Sequence, residues 1–466
     1  MFYDSPHWKI PMICNTAVFF FILLVCLMSG SCHYSPKKLA RTLSSNKRKI
    51  IDRSRSFVSF QTTICIMGVD FPPNIPTLTK TTFFGRSYMD SGVILTVTNS
   101  GTVSHVASLA RPKSTKPRTN YSFISVVKKM ISDTWLLFFI GIVRYIMLVM
   151  SDYDYDATEY GRVWNFFFTL AFLRIEVLSL QYITNSAELG PLIISSIALF
   201  VYNICLCFFN LEGLYSAPRN DGFFYQNFEG ILSLCSYPFV FFMSSYFTRI
   251  ITSTKQNMKH HFQSILNLIL VALFFFALTP TLRELTGFIA HASRSLNPIA
   301  FDDISTFQHR TEEDSSFSSN FIQLLFDAHR SFSMPPSRRM MNFRFVMEVV
   351  GYHALILAMG YVSRLFEFLV NPDFLPSTDS DPSDMSLFDY VFSKMQLYTF
   401  LFANLCIGPI HLLFDRPNSH NMLSNTLIIC VYTITVILLS LIVCSVVFPG
   451  KGGFIGKKKT KTTKEH

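Results

Sequence analysis

Charged residues are scarce in this sequence. They make up 15% of the 466 residues, and half of the chain is hydrophobic. A soluble globular chain carries roughly 25% charged residues, so this composition is typical of a protein built for lipid. The formal net charge of +10 does not indicate a nucleic-acid partner. The lysines and arginines lie between apolar runs and in the C-terminal tail, as membrane topology requires.

Several catalytic and binding motifs are also absent. The chain contains no P-loop, no nucleotide-binding glycine pattern, no D-H-H-C palmitoyltransferase motif and no G-x-S-x-G elbow. Its ten cysteines lie mostly in or beside apolar runs, without the spacing of a zinc site or a disulfide framework. These absences leave two classes open. One is a membrane enzyme that acts on a lipid, and the other is a transporter or lipid-handling protein with buried charges.

Long apolar runs predict an all-α, polytopic integral membrane protein with about eleven transmembrane helices. The spans are expected at 11–31, 55–72, 88–108, 131–150, 163–184, 191–210, 229–248, 262–284, 343–370, 393–414 and 424–447. The first run has no clear cleavage site after it, which favours a retained span over a signal peptide.

The apolar runs divide a single membrane-embedded domain at 1–466 into parts. These are the first span with a basic loop (1–56), spans two to eight (57–285), a long polar loop (286–342), spans nine to eleven (343–447) and a basic tail (448–466).

Lysine and arginine predict the orientation. The loops 32–56, 109–130 and 249–261 and the C-terminal tail are rich in these residues and fall on one side, which is therefore expected to be cytosolic. The C-terminus is then cytosolic and the N-terminus is not. The opposite side receives four polar segments, at 70–80, 151–161, 219–230 and 285–342. Such convergence predicts a site assembled from several helices and favours an enzyme.

The stretch 68–92 places ionisable residues at the end of an apolar run and in the loop that follows it. The apolar run that ends at Val69 is followed by Asp70, by a proline-rich loop with Pro72 and Pro73, and by Lys80. Ionisable groups at membrane depth cost several kcal/mol and are usually functional. An interfacial aspartate that merely ends a helix is the alternative.

Ionisable residues also fall inside the predicted spans. Arg174 and Glu176 are two positions apart, so on a helix they face different directions and are not expected to pair with each other. For such residues a structural bond between helices is the favoured interpretation. Glu348 is the exception that merits a test, because Arg344 is the basic residue within one helical turn of it.

Five patches occur in order along the chain: GVDFP…K…FG.S.MD.GV at 68–93, TEYG..WNFFFTL at 158–170, QN.EGI at 226–231, SRRMMN at 337–342 and FLFANL at 400–405. Together they resemble the inositol acyltransferase family of glycosylphosphatidylinositol (GPI) anchor synthesis. The resemblance implies transfer of a fatty acyl group, commonly palmitoyl from its coenzyme A thioester, to an inositol hydroxyl of glucosaminyl-phosphatidylinositol. It implies the endoplasmic reticulum membrane, a metal-free reaction and no cofactor besides acyl-coenzyme A as co-substrate.

The expected partners are therefore glucosaminyl-phosphatidylinositol, palmitoyl-coenzyme A and membrane lipids, with no nucleic acid and no obligate protein partner. The resemblance places the catalytic acid and lysine of the family at Asp70 and Lys80. The substrate-binding residues that we predict are Asp90, Glu159, Tyr160, Trp164, Asn165, Asn227, Glu229, Arg338, Arg339, Asn342 and Asn404.

Each of these residues also has a structural interpretation. Trp164 is expected to pack at the membrane interface, and the asparagines are candidates for hydrogen bonds between helices. Arg338 and Arg339 are either loop charges or a clamp on phosphate.

The sequence also departs from the family pattern. Pro76-Thr77 replaces an arginine pair, Asp156 and Val163 replace two histidines, Phe228 replaces an arginine and Glu348 a tryptophan. The resemblance implies thirteen spans, so with eleven predicted we expect that roughly the first two are missing, by truncation or by loss. These departures predict a divergent member of the family.

Overall fold

The computed structural model describes residues 36–70, 80–110, 122–150, 160–185, 189–215, 222–296, 326–370, 386–407, 409–410 and 422–447. Its regular elements within these ranges are helices, which confirms the all-α prediction. They are α1 (Pro36–Ser45), α2 (Lys47–Asp70), α3 (Tyr88–Ala110), α4 (Phe123–Met150), α5 (Phe166–Ile183), α6 (Leu189–Phe208), α7 (Leu211–Leu214), α8 (Phe223–Ser233), α9 (Tyr237–Thr252), α10 (Met258–Leu296), α11 (Phe343–Val370), α12 (Leu387–Asp389), a π-helix (Tyr390–Lys394), α13 (Gln396–Leu405) and α14 (Met422–Val447).

Six stretches of the described chain are helical, long and apolar enough to cross a membrane. They are Phe166–Ile183, Leu189–Phe208, Phe223–Thr252, Met258–Ile289, Phe343–Glu367 and Asn425–Val443. The protein is therefore polytopic. Helices also form at the predicted spans 55–72, 88–108 and 131–150. The first predicted span, 11–31, lies outside the described residues, so the count of eleven stays a prediction.

Helix α11 forms the centre of the bundle. It packs against α10, α2, α9 and α3, and its side chains Val346, Leu357 and Tyr361 are fully buried. Helix α3 is rich in Gly, Ser and Thr, and its composition alone makes it a weak span. It packs closely on α9 because Gly101 lies against the main-chain carbonyl of Phe241, where a Cβ atom would overlap that oxygen. Small residues of this kind allow two membrane helices to approach closely.

The predicted span 229–248 is not one continuous helix. Helix α8 ends at Ser233 and α9 begins at Tyr237, immediately before Pro238. Proline is tolerated in the first turn of a helix but not in its interior, which explains why the break falls here. Asn227 adds a second irregularity inside α8, with φ −133° and ψ 17°. Within the predicted span 393–414, the π-helix ends at Lys394 and the short α13 runs from Gln396 to Leu405.

The end of the bundle predicted to be cytosolic is held together by lysine and arginine. Lys47 Nζ donates to the main-chain oxygens of Thr252 and Thr254, at 2.7 and 2.5 Å. This contact joins two of the predicted cytosolic loops and offsets the partial negative charge at the C-terminus of α9.

A cluster of seven charged residues lies at the same end and links α2, α11 and the segment around the π-helix. Arg53 pairs with Asp389 at 2.8 Å and with Glu367 at 3.2 Å. The other members are Asp52, Arg55, Arg364 and Lys394. We call this set the Arg53 cluster.

Candidate functional site

Four parts of the chain meet in one pocket at the opposite end of the bundle. The lining residues are Asp90, Val93, Ile94, Tyr160, Glu229, Ser233, Tyr237, Arg338, Arg339 and Met341. They come from the start of α3, the segment before α5, the α8–α9 break and the segment before α11. The cavity among them is small, ≈ 10 Å³, which is about the room that one water molecule needs. Three of the four polar segments that the topology prediction assigned to one membrane face, 151–161, 219–230 and 285–342, thus contribute to the lining. The remaining part is the start of α3, in the predicted span 88–108, and Lys80, the end of the segment 70–80, is not among the lining residues.

Asp90 and Arg338 form the first charged pair of the pocket. Arg338 Nε lies 3.0 Å from Asp90 Oδ1, and the Asp90 side chain is 0% exposed. The Thr81 hydroxyl donates to Asp90 Oδ2 at 2.8 Å, and the Thr81 main-chain N–H donates to Oδ1 at 3.3 Å. A buried charge is tolerated when it is paired and hydrogen-bonded, and Asp90 meets both conditions.

Glu229 and Arg339 form the second pair. Arg339 Nη2 donates to Glu229 Oε1 at 2.9 Å, and the Glu229 side chain is 1% exposed. The guanidinium also lies over the rings of Phe83 and Tyr215, at 5.3 and 5.9 Å from their centroids. Aromatic rings at such distances attract the guanidinium cation. Burial raises the pKa of the Tyr215 phenol, so Tyr215 stays neutral at physiological pH.

The segment that carries Lys80 is tied to the wall of this pocket. The Gly85 N–H donates to the oxygen of Pro336 at 2.9 Å, and the Ser337 hydroxyl donates to the oxygen of Phe83 at 2.7 Å. Arg86 adds an ion pair with Glu348 at 2.5 Å. Lys80 is half-buried and directly precedes Thr81, the partner of Asp90.

Helix α2 ends at Asp70. The Asp70 side chain and the loop 71–79 lie outside the described residues, so the catalytic role of Asp70 and Lys80 and the geometry of this pair stay predictions.

Tyr160 lines the pocket because main-chain hydrogen bonds hold its segment against α8. The Arg162 N–H donates to the oxygen of Gln226, and the Gly230 N–H donates to the oxygen of Tyr160, both at 2.9 Å. Gly161 has φ +132°, and a Cβ there would overlap Asn227. Glycine at this position therefore allows the turn that presents Tyr160. Glu159, its neighbour in the chain, lies outside the described residues.

Three predicted asparagines bind main-chain groups. Asn227 Oδ1 accepts from the N–H groups of Val163 and Trp164 at 2.8 Å. Asn165 caps α5 through the N–H groups of Phe167 and Phe168. Asn342 accepts from the N–H groups of Ser337 and Phe345 and donates to the oxygen of Pro335. These side chains shape the segments that form the pocket but do not line it.

Trp164 and Asn404 also lie away from the pocket lining. The indole of Trp164 stacks on Phe172 with centroids 5.1 Å apart and donates to the Thr169 hydroxyl at 3.0 Å. Asn404 is exposed on α13 and donates to the oxygen of Phe400. Contact of either residue with substrate stays a prediction.

Sequence reasoning missed several residues of this region. Ser233 and Tyr237 line the pocket from the two sides of the helix break, and Pro238 was the signal for that break. Thr81 orients Asp90, and nothing in the local pattern distinguishes it from neighbouring threonines.

Arg174 and Glu348, two ionisable residues elsewhere in the spans, form ion pairs. Arg174 on α5 pairs with Asp133 on α4 at 2.6 Å, which confirms that it does not pair with Glu176. Glu348 accepts from Arg86 as well as from Arg344, one turn away. His411 lies outside the described residues. Among the residues that the structure does describe, no three of His, Cys, Asp or Glu are grouped to hold a metal ion.

The fold and the pocket define a class: a polytopic helical membrane protein with a buried pocket of paired charges at one end of its bundle. The sequence model of the GWT1 family matches residues 5–443. The chain therefore belongs to the GWT1 family.

Two curated proteins illustrate the similarity. GPI-anchored wall transfer protein 1 of Candida albicans is 27% identical over 414 residues, which cover 85% of this chain and 74% of that protein. The glucosaminyl-phosphatidylinositol-acyltransferase PIGW of Mus musculus is 30% identical over 201 residues, which cover 42% of this chain and 38% of that protein. The match with the mouse protein thus spans well under half of its length.

Proposed function

We propose that this chain is an O-acyltransferase of GPI-anchor biosynthesis in the endoplasmic reticulum membrane. It transfers a fatty acyl group, with palmitoyl as the expected chain, from acyl-coenzyme A to an inositol hydroxyl of glucosaminyl-phosphatidylinositol. The observation that supports this function best is the pocket itself. It joins residues from four of the five family-like patches, in a chain related to a mouse protein named for this activity.

The reaction needs a base and a group that stabilises negative charge. A sugar hydroxyl is a poor nucleophile, so Asp70 takes its proton as the oxygen attacks the thioester carbonyl. The new C–O bond forms, the C–S bond breaks, and the coenzyme A thiolate leaves and recovers a proton. Lys80 has two possible roles, to stabilise the oxyanion or to orient Asp70. The bonds that tie residues 81–86 to the pocket wall support a fixed position for Lys80. No cofactor besides the acyl donor is proposed.

The purified protein tests the proposal directly. It is incubated in detergent with glucosaminyl-phosphatidylinositol and radiolabelled palmitoyl-coenzyme A, and the acylated lipid is measured. Asp70→Asn should lower turnover by about a hundredfold, with thermal unfolding unchanged, because it removes the base and keeps the side-chain size. Lys80→Met should cause a comparable loss. The double variant should lose much less than the product of the single losses, because residues that act as a unit are not additive.

Arg118→Met is the control, since residue 118 lies in a loop predicted to face the cytosol, and its turnover should stay near the wild-type value. Full turnover in a folded Asp70→Asn protein would refute the base assignment. The alternative function is a lipid transporter or assembly factor without catalysis. It becomes preferable if folded wild-type protein acylates nothing and fails to restore acyl-inositol formation in cells that lack the endogenous enzyme.

A further inference from the structure

The chain that connects Lys80 to helix α3 lies against one face of α11. Arg86 Nη2 donates to Glu348 Oε1 at 2.5 Å. Two residues further on, the ring of Tyr88 lies beside the ring of Tyr352, with the centroids 6.3 Å apart. Glu348 and Tyr352 are four positions apart, so they are neighbours on one face of the helix. The chain that follows Lys80 therefore contacts α11 at two successive turns.

The same face of α11 also contacts helix α2. The Tyr352 hydroxyl donates to Gln61 Oε1 at 2.9 Å, and Gln61 lies on α2, the helix that ends at Asp70. Helix α11 forms the buried centre of the bundle. The two segments that carry the proposed catalytic pair are thus attached to neighbouring turns of one central helix. Groups supported by a rigid helix are positioned more precisely than groups on a loop.

Glu348 pairs with a second arginine, which belongs to its own helix. Arg344 Nε donates to the same Glu348 Oε1 at 3.3 Å from the preceding turn of α11. The pair with Arg344 joins two residues of one helix, whereas the pair with Arg86 joins two segments. If Arg86 is replaced, Glu348 keeps Arg344 as its counter-charge, so the carboxylate is not left uncompensated. The tryptophan that the family pattern has at position 348 could not accept these hydrogen bonds.

We propose that Arg86 is a positioning residue, whose ion pair with Glu348 holds Lys80 at a fixed place relative to the end of α2. The inference rests on the proposed function, in which Lys80 acts in acyl transfer. Arg86 acts through Lys80 and does not touch the substrate. Misplacement of a catalytic group by about 1 Å costs as much as a hundredfold in rate. The loss on removal of Arg86 should therefore fall on kcat rather than on KM.

Hydrogen–deuterium exchange of the purified protein in detergent tests the attachment independently of activity. Arg86→Met should raise exchange at the main-chain N–H groups of Thr81 and Gly85, which are hydrogen-bonded in the folded protein, by roughly tenfold or more, because their segment loses its ion pair with α11. Arg344→Met is the matched control. It removes the other arginine from the same carboxylate and should leave the exchange of this segment near the wild-type value.

Turnover tests whether the attachment acts through Lys80. With glucosaminyl-phosphatidylinositol and palmitoyl-coenzyme A, Arg86→Met should lower kcat by roughly tenfold or more and change KM little. Arg86→Lys, which retains the charge, should keep part of kcat, and Arg344→Met should leave kcat near the wild-type value. In a Lys80→Met background, Arg86→Met should cause little further loss, because the group that it positions is already gone.

Unchanged exchange in Arg86→Met would overturn the proposal. So would losses that multiply in the double variant with Lys80→Met, or a rise in KM alone, since Arg86 would then support the fold or the binding of substrate. Should Arg86→Met fail to fold, Arg86→Gln, which keeps a hydrogen-bond donor, takes its place in both measurements. If folded wild-type protein acylates nothing, the proposed function fails, whereas the exchange measurement still decides whether Arg86 holds the Lys80 segment.

Discussion

Replacing Asp90 by asparagine should destabilise the protein more than any change at an exposed ion pair. The substitution keeps the size of the side chain and an oxygen that Thr81 can still bind, but it removes the carboxylate charge that lies 3.0 Å from the Arg338 guanidinium. The Asp90 side chain is 0% exposed and that of Arg338 is 10% exposed. Removing one partner of a buried pair costs about 3–5 kcal/mol, because the remaining charge is uncompensated.

The pair Arg283 and Glu284 provides the comparison within the same chain. Its charged groups are 3.6 Å apart and 53% and 80% exposed. They lie near the end of the stretch Met258–Ile289, and ion pairs that water reaches contribute about 0–1 kcal/mol. We expect Asp90→Asn to lower the thermal unfolding midpoint in detergent by several degrees and Arg283→Gln to leave it nearly unchanged. The double variant Asp90→Asn/Arg338→Met should recover part of the loss, because both charges are gone. Equal midpoints for Asp90→Asn and Arg283→Gln would refute the argument that the pocket charges are buried and mutually dependent.

Three further predictions follow from the fold. Gly101→Ala should lower the free energy of unfolding by about 1–3 kcal/mol, because the added Cβ overlaps the Phe241 carbonyl oxygen. Gly92→Ala on the same helix is the control and should not destabilise the protein, since nothing lies within 4 Å of the added Cβ. Both are measured by thermal unfolding. Asn227→Leu should lower the free energy of unfolding by about 1–3 kcal/mol, because the N–H groups of Val163 and Trp164 lose the oxygen that accepts their hydrogen bonds. Stability equal to that of wild type would show that water replaces the side chain. Tags on the two termini, tested for protease access in sealed microsomes, should lie on opposite sides of the membrane, and tags on one side would exclude eleven spans.

The sequence predicted the helices well because a membrane helix needs a long apolar run, and such a run can be recognised from the order of the residues alone. It predicted Asp90, Tyr160, Glu229, Arg338 and Arg339 as site residues, and the structure places these five in one pocket. The meeting of Tyr160, Glu229, Arg338 and Arg339 was predictable because topology assigns their loops to one side of the membrane. Whether these residues touch substrate stays a prediction.

Side-chain roles inside the folded segments were not predictable in the same way. Asn165, Asn227 and Asn342 bind main-chain N–H groups, and a family-like patch marks such a residue without showing what its side chain contacts. The Arg53 cluster was missed for a related reason. Arg53 and Asp389 lie 336 positions apart, and no periodicity in the sequence relates them.

The wide separation of the pocket segments has a consequence for how the protein is made. Phe83 and Ser337, whose hydrogen bond holds the Lys80 segment to the pocket, are 254 positions apart, and Glu229 precedes Arg339 by 110. At a synthesis rate of about 5–20 residues per second, roughly 10–50 s pass between the emergence of the first and the last of these segments. During that interval Asp90 and Glu229 have already been synthesised, whereas Arg338 and Arg339, with which they pair in the folded protein, have not. The early helices therefore depend on water or on the insertion machinery to solvate those carboxylates, and the pocket closes only when residues 337–339 arrive.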